Sequence, residues 1–183
     1  QTCKLTFKDG ANITVTGGTL TIKATGSQGE ANILHSGTTG NTNGLFYVAE
    51  GGTLDLTDKA FFYTTDLFTT FIKNEGTLNI RDGVHFWGRP THLIDNMGHG
   101  TVNMYGGDLN TSLGSGSNVA LCSQSTGAIN LMGGRLYTDE SDAIAILNQS
   151  TGAVNVLDEG EIAIRAGCAI KAEGTGPITI DGN

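Results

Sequence analysis

The chain has 183 residues, 28 of them glycine and 2 proline, with 38% hydrophobic and 15% charged residues and a net charge of −8. That much Val, Ile, Leu and Phe with so little charge excludes a disordered chain. The scarcity of Lys and Glu beside abundant Gly, Thr and Asn argues against a helical one. The acidic balance offers no basic stripe for phosphate, so nucleic acid is not an expected partner. No apolar run reaches membrane-spanning length and no secretory signal stands at the start. The opening Gln1-Thr2-Cys3 fits either a processed product or a segment of something longer.

Read in chain order, the sequence begins with a partial unit whose apolar residues are Leu5 and Phe7, then Ile13 and Val15. Gly18-Thr-Leu-Thr-Ile22 follows, the first clear copy of a phrase that recurs to the end of the chain. The phrase is a glycine, a small residue, and two apolar residues flanking one polar residue. It returns as Gly52-Thr-Leu-Asp-Leu56, Gly76-Thr-Leu-Asn-Ile80, Gly100-Thr-Val-Asn-Met104, Gly127-Ala-Ile-Asn-Leu131, Gly152-Ala-Val-Asn-Val156 and Gly176-Pro-Ile-Thr-Ile180. The glycines lie 34, 24, 24, 27, 25 and 24 residues apart, and strand-like alternation at such a period marks a solenoid.

Within each unit the phrase is the first strand. A second strand follows at Ala60–Tyr63, Val84–Trp87, Gly134–Tyr137 and Glu161–Ile164. A third precedes the next glycine at Leu45–Val48, His92–Ile94, Asn118–Leu121, Ala143–Ile146 and Cys168–Ile170. Asp82-Gly83, Gly106-Gly107 and Gly133-Gly134 read as turns between the first and second strands. Three strands per unit predict an all-β, right-handed parallel β-helix of about seven coils forming a single domain over 1–183. Leu20, Leu54, Leu78, Val102, Ile129, Val154 and Ile178 should form one inward column, and Ile22, Leu56, Ile80, Met104, Leu131, Val156 and Ile180 its neighbour. The long first interval predicts a surface loop around 36–44, between the second and third strands. The 27-residue interval predicts a smaller bulge at Leu113–Ser117.

Outward positions carry the candidate chemistry. If Phe62 and Phe86 point inward, Phe61, Tyr63, His85 and Trp87 share an outer face, extended by Asp108, Arg135 and Tyr137. Aromatic planes with polar neighbours suit sugar rings, so this strip is the candidate ligand-binding site. The competing expectation is that Arg89-Pro90-Thr91 or another chain covers the rings. Gly98-His99-Gly100 matches a triplet of polygalacturonases but falls where other units have an ordinary turn, without the companion carboxylates glycoside hydrolysis needs. Asp55 and Arg81, one coil apart, give thin support for a lyase. Asp139 with Asp142, and Asp158 with Glu161, read as solvated turns rather than a calcium site. The outward Asn79, Asn103, Asn130 and Asn155 read as a hydrogen-bonding ladder. Cys3, Cys122 and Cys168 are an odd count at non-matching phases and read as free thiols. No catalytic residue, metal site or cofactor emerges.

Asn148-Gln-Ser-Thr-Gly-Ala-Val-Asn-Val156 and Ser125-Thr-Gly-Ala-Ile-Asn-Leu-Met-Gly-Gly134 resemble the repeat units of pectin-lyase-like, adhesin-like surface proteins of bacteria. The resemblance is strongest over about 118–181 and looser over 45–117. It implies a secreted or cell-surface adhesin or structural module with a host or environmental glycan or protein as partner, and no enzymatic residues to carry over. The alternatives are a self-assembling extracellular fibre subunit, whose open ends meet further copies, and a polysaccharide-degrading β-helix enzyme.

Overall fold

A computed structural model describes residues 3–24, 31–36, 43–64, 70–88, 90–111, 118–138 and 140–182. Among these the chain is all β, in nineteen strands. The first turn holds β1 (Cys3–Phe7), β2 (Ile13–Val15) and β3 (Gly18–Ile22). Next come β4 (Ala31–His35), β5 (Phe46–Val48) and β6 (Gly52–Leu56), then β7 (Ala60–Thr64), β8 (Ile72–Asn74) and β9 (Thr77–Ile80). β10 (His85–Gly88) and β11 (His92–Asn96) lead into the long β12 (Thr101–Asn110), and β13 (Val119–Ser123) into the equally long β14 (Ile129–Thr138). β15 (Ile144–Asn148), β16 (Val154–Leu157), β17 (Glu161–Ile164), β18 (Cys168–Ala172) and β19 (Ile178–Asp181) complete the series.

Every pairing between these described strands is parallel and joins one coil to the next, which makes the chain a β-solenoid; one isolated antiparallel bridge joins Gly44 to Ile72. One sheet of seven strands holds every third strand of the coil. A sheet of twelve holds the first and second strands, which β12 and β14 join by running through both. Each of the three ladders therefore has seven rungs, spanning six coil-to-coil steps.

Both inward columns form in the predicted register. Leu20 pairs with Leu54, Leu54 with Leu78, Leu78 with Val102, Val102 with Ile129, Ile129 with Val154 and Val154 with Ile178. The partners two residues on follow suit from Ile22 to Ile180. Burial of each is worth about 1.5–3 kcal/mol, and the columns are fully enclosed in the middle rungs. Behind the second ladder the core turns aromatic. Phe62 and Phe86 stack at 4.3 Å with their planes 10° apart, and Phe71 packs edge-on against both at 5.9 and 5.8 Å.

The two Gly-Gly pairs differ from expectation. Gly106-Gly107 and Gly133-Gly134 lie inside β12 and β14 instead of separating two strands. Gly107 and Gly134 adopt φ of 88° and 78°, so the backbone bends while the strand continues, and the register skips Gly106, Gly107 and Gly134 there as a bulge. Tyr105 consequently pairs with Gly133 and not with Met132. Asp82-Gly83 is a turn as predicted. The segments at 37–42 and 112–117, which hold most of the predicted loop and the predicted bulge, lie outside the described residues.

The third ladder runs two residues past its predicted end in most coils, and those residues close the corner to the next phrase. Asn96 Nδ2 donates to the Gly100 carbonyl at 2.7 Å, and Asn148 Nδ2 to the Gly152 carbonyl at 3.2 Å. Asn74 Nδ2 reaches both Asn96 Oδ1, at 2.8 Å, and the Thr101 carbonyl, at 3.0 Å. All three asparagines are fully buried. Where Ser123 takes the asparagine's place, Ser125 Oγ substitutes, donating to the Gly100 carbonyl at 2.8 Å and accepting from Gly127 N at 2.9 Å.

Candidate ligand-binding face

The second ladder positions the candidate residues because its strands alternate. Phe62, Phe86, Leu109 and Leu136 are buried, so their neighbours in sequence face outward. The pairing then fixes two outer columns. Phe61 pairs with His85, His85 with Asp108, Asp108 with Arg135 and Arg135 with Glu161. Beside them, Tyr63 pairs with Trp87, Trp87 with Asn110 and Asn110 with Tyr137. All seven predicted site residues thus occupy one face over four successive rungs. Sequence reasoning missed Asn110 and assigned Glu161 to a turn; the pairing puts both in these columns. Counting two residues on from Asp108, and one coil on from Arg135, would have found them.

The face has an aromatic half and a charged half. In the aromatic half the Phe61 and Tyr63 rings are nearly parallel, 11° apart and stacked with centroids 6.4 Å apart. Tyr63 meets Trp87 at 5.3 Å, and Phe61 meets His85 at 6.4 Å. Trp87 remains 39% exposed, unusual for so large an apolar side chain. Of the segment expected to cover it, Arg89 lies outside the described residues, and Pro90 is buried. The stacked Phe62 and Phe86 form a rigid backing to this platform.

In the charged half Arg135 grips Asp108, Nη2 to Oδ2 at 3.0 Å and Nε to Oδ1 at 3.5 Å. That hydrogen bond and the carboxylate's charge push the Arg135 pKa further up, with Glu161 and Tyr137 adding to the effect. The guanidinium also sits 5.2 Å from the Tyr137 ring centre, and Arg165 approaches the same ring at 5.8 Å. Three shallow depressions run along the face. One of about 210 Å³ lies among Phe61, Trp87, Asp108 and Asn110, and one of about 290 Å³ beside Lys59 and Phe61. The third, of about 450 Å³, lies among Asp108, Arg135, Glu159 and Glu161. His85 lines all three, so the depressions adjoin at that residue. Flat apolar rings beside fixed donors and acceptors can stack on a ring-shaped ligand and hydrogen-bond its rim.

The remaining candidates are dispersed. Arg81 Nε bonds Asp55 Oδ1 at 2.9 Å, and its guanidinium lies over Tyr105 at 5.1 Å, so the pair satisfies itself. His99 sits in the turn between β11 and β12, with Nδ1 2.8 Å from Thr126 Oγ1. Asp142 and Asp158 are exposed in turns, Asp139 lies outside the described residues, and Glu161, expected in a solvated turn, is instead the first residue of β17 and belongs to the face above. The outward asparagines do form a ladder: Asn103 donates to Asn79 at 3.1 Å, Asn130 to Asn103 at 2.9 Å and Asn155 to Asn130 at 2.8 Å. All three cysteines are free thiols. Cys122 is the buried one, and burial, reinforced by the charges of Asp95 and Glu173, pushes its pKa up to about 12. Such a thiol is no nucleophile on its own. No helix among the described residues is long and apolar enough to cross a membrane. The chain matches no protein-family model, no curated protein and no solved structure.

Proposed function

We propose that this β-solenoid is a secreted or cell-surface module that binds a glycan along the outer face of its second ladder. The observation that carries the reading is the registered pairing of Tyr63 with Trp87 and of Phe61 with His85. It sets aromatic planes on consecutive rungs, with Asp108, Asn110 and Arg135 on the rungs that follow. Sugar rings stack their apolar faces on such planes, while their hydroxyls reach the polar rungs beyond. An oligosaccharide lying along the solenoid axis would meet both halves. The adhesin-like repeat phrases of residues 125–156 fit a displayed module of this kind. We assign it no catalytic step; unsaturated or reducing ends released from pectic substrates would overturn that part.

The test is a glycan array followed by calorimetry on the best ligand. Trp87→Ala and Phe61→Ala should each weaken binding at least tenfold with the fold intact by circular dichroism. Unchanged affinity in both variants removes this face as the binding site.

A further inference from the structure

We propose that His92, Asp95 and Cys122, on the outer side of the third ladder, form a binding site for a divalent transition-metal ion, zinc being the best chemical match. The site is independent of the aromatic face and of the glycan reading.

Its geometry originates in a slip of strand phase. In simple alternation His92 and Asp95 would point to opposite faces. Leu93 and Ile94 are instead both fully buried, as are Ala120 with Leu121 and Ala145 with Ile146 on the next two rungs. Two consecutive inward residues return both His92 and Asp95 to the outside. Asp95 then pairs with Cys122 on the neighbouring rung, and His92 with Val119. One ligand atom from each of the three residues, an imidazole nitrogen, a carboxylate oxygen and the Cys122 Sγ, lies within 4.8 Å of the others. Around a tetrahedral zinc, with bonds of about 2.0–2.3 Å, ligand atoms stand roughly 3.3–3.8 Å apart. Side-chain rotations that part the His92 and Asp95 atoms, now in direct contact, and draw the Cys122 sulfur toward them give that spacing without moving the ladder.

The surroundings have the features a metal centre uses. His92 Nδ1 and Asp95 Oδ1 are in direct contact. Thr70 Oγ1 donates to the other carboxylate oxygen, Oδ2, at 3.1 Å, which orients the carboxylate. Cys122 is fully buried beside Val119 and Leu147, an apolar wall that keeps water from the sulfur. Gln149 Oε1, 3.8 Å from Cys122 Sγ, or a water can supply the fourth ligand. The nitrogen, oxygen and sulfur donor set selects a borderline ion over calcium or magnesium, which take oxygen ligands. On binding, the Cys122 thiol gives its proton to solvent; the thiolate and the Asp95 carboxylate then neutralise the dication.

The experiment titrates the reduced, chelator-treated chain with Co(II) and then with Zn(II). One equivalent of cobalt should produce a thiolate-to-metal charge-transfer band, which zinc abolishes by displacement. The band should persist in the Cys3→Ser/Cys168→Ser double variant and vanish in Cys122→Ser. His92→Ala should weaken zinc binding at least tenfold, and Thr70→Val, which removes only the orienting hydroxyl, about 10–100-fold. Circular dichroism of each metal-free variant establishes that it is folded. No charge-transfer band in the folded wild type, or a band unchanged in Cys122→Ser, overturns the proposal.

Discussion

Gly127 lies so close to Gly100 that a Cβ on it would stand 2.3 Å from the Gly100 carbonyl oxygen. The same relation joins Gly76 to Gly52 at 2.4 Å, Gly152 to Gly127 at 2.2 Å and Gly176 to Gly152 at 2.0 Å. The recurring glycine is thus a requirement of stacking, since each coil's backbone passes directly against the one before it. Neither backbone can yield without opening the ladder. Gly127→Ala should therefore cost about 3 kcal/mol of stability, as overpacking of a rigid site does. Gly17→Ala, where a Cβ meets nothing within 4 Å, is the control and should be near neutral. Urea unfolding of the two variants checks this; equal midpoints would refute the close approach.

Phe86 and Trp87 are neighbours in sequence and opposites in role. Phe86, 1% exposed, is stacked on Phe62 and wedged by Phe71, so Phe86→Ala should destabilise by about 3–5 kcal/mol. Trp87→Ala removes a side chain that touches Tyr63 at the surface and should cost about 1 kcal/mol or less. Chemical denaturation of both variants reads the difference directly. A larger loss for Trp87→Ala would mean that the outer rings are a structural cluster and not a free platform.

The first ladder was legible because its phrase combines a period of two with a glycine at a fixed place, and both columns follow from one copy. The aromatic face was legible for the same reason: once Phe62 and Phe86 are inward, Phe61 and Trp87 have no choice. The metal cluster was not, because Leu93 and Ile94 break the alternation and put His92 on the side that counting assigns to the interior. The buried asparagines were hidden in another way. Asn74, Asn96 and Asn148 are polar and precede a turn, so they read as loop residues. Their burial depends on carbonyls of the next phrase, which the period does not reveal. The Gly-Gly pairs misled because glycine at positive φ both ends strands and bends them; the pairing of the neighbouring coils keeps β12 and β14 continuous.

The buried corner asparagines and the outer asparagine ladder should respond differently to truncation. Asn96 is buried, accepts from Asn74 and donates to the Gly100 carbonyl. Asn96→Ala leaves the Asn74 amide short of an acceptor in a dry interior and opens a cavity. The expected loss is about 2–3 kcal/mol. Asn103 is half-buried on the outer face, where water can replace the bonds it makes with Asn79 and Asn130. Asn103→Ala should cost about 1 kcal/mol or less. Thermal unfolding of both variants provides the measurement, and equal losses would show that the inner asparagines are not the corner locks described above.

Tyr47 supplies a pH-dependent signal on the third ladder. Its hydroxyl donates to Glu75 Oε2 at 2.8 Å, and this bond, then burial, then the Glu75 charge raise its pKa above the ordinary 10.0. The folded value lies above the unfolded one, so the protonated phenol is the form that folding favours. Its contribution to stability is complete below the unfolded pKa and is lost as pH rises through the folded value. In an ultraviolet titration of the folded chain, Tyr47 should therefore ionise after a tyrosine of ordinary pKa. Tyr47→Phe should delete that late phase, while Glu75→Gln should move it to lower pH by removing the carboxylate that holds the proton. A late phase that survives Tyr47→Phe would assign it to another tyrosine and remove the Tyr47–Glu75 bond as its cause.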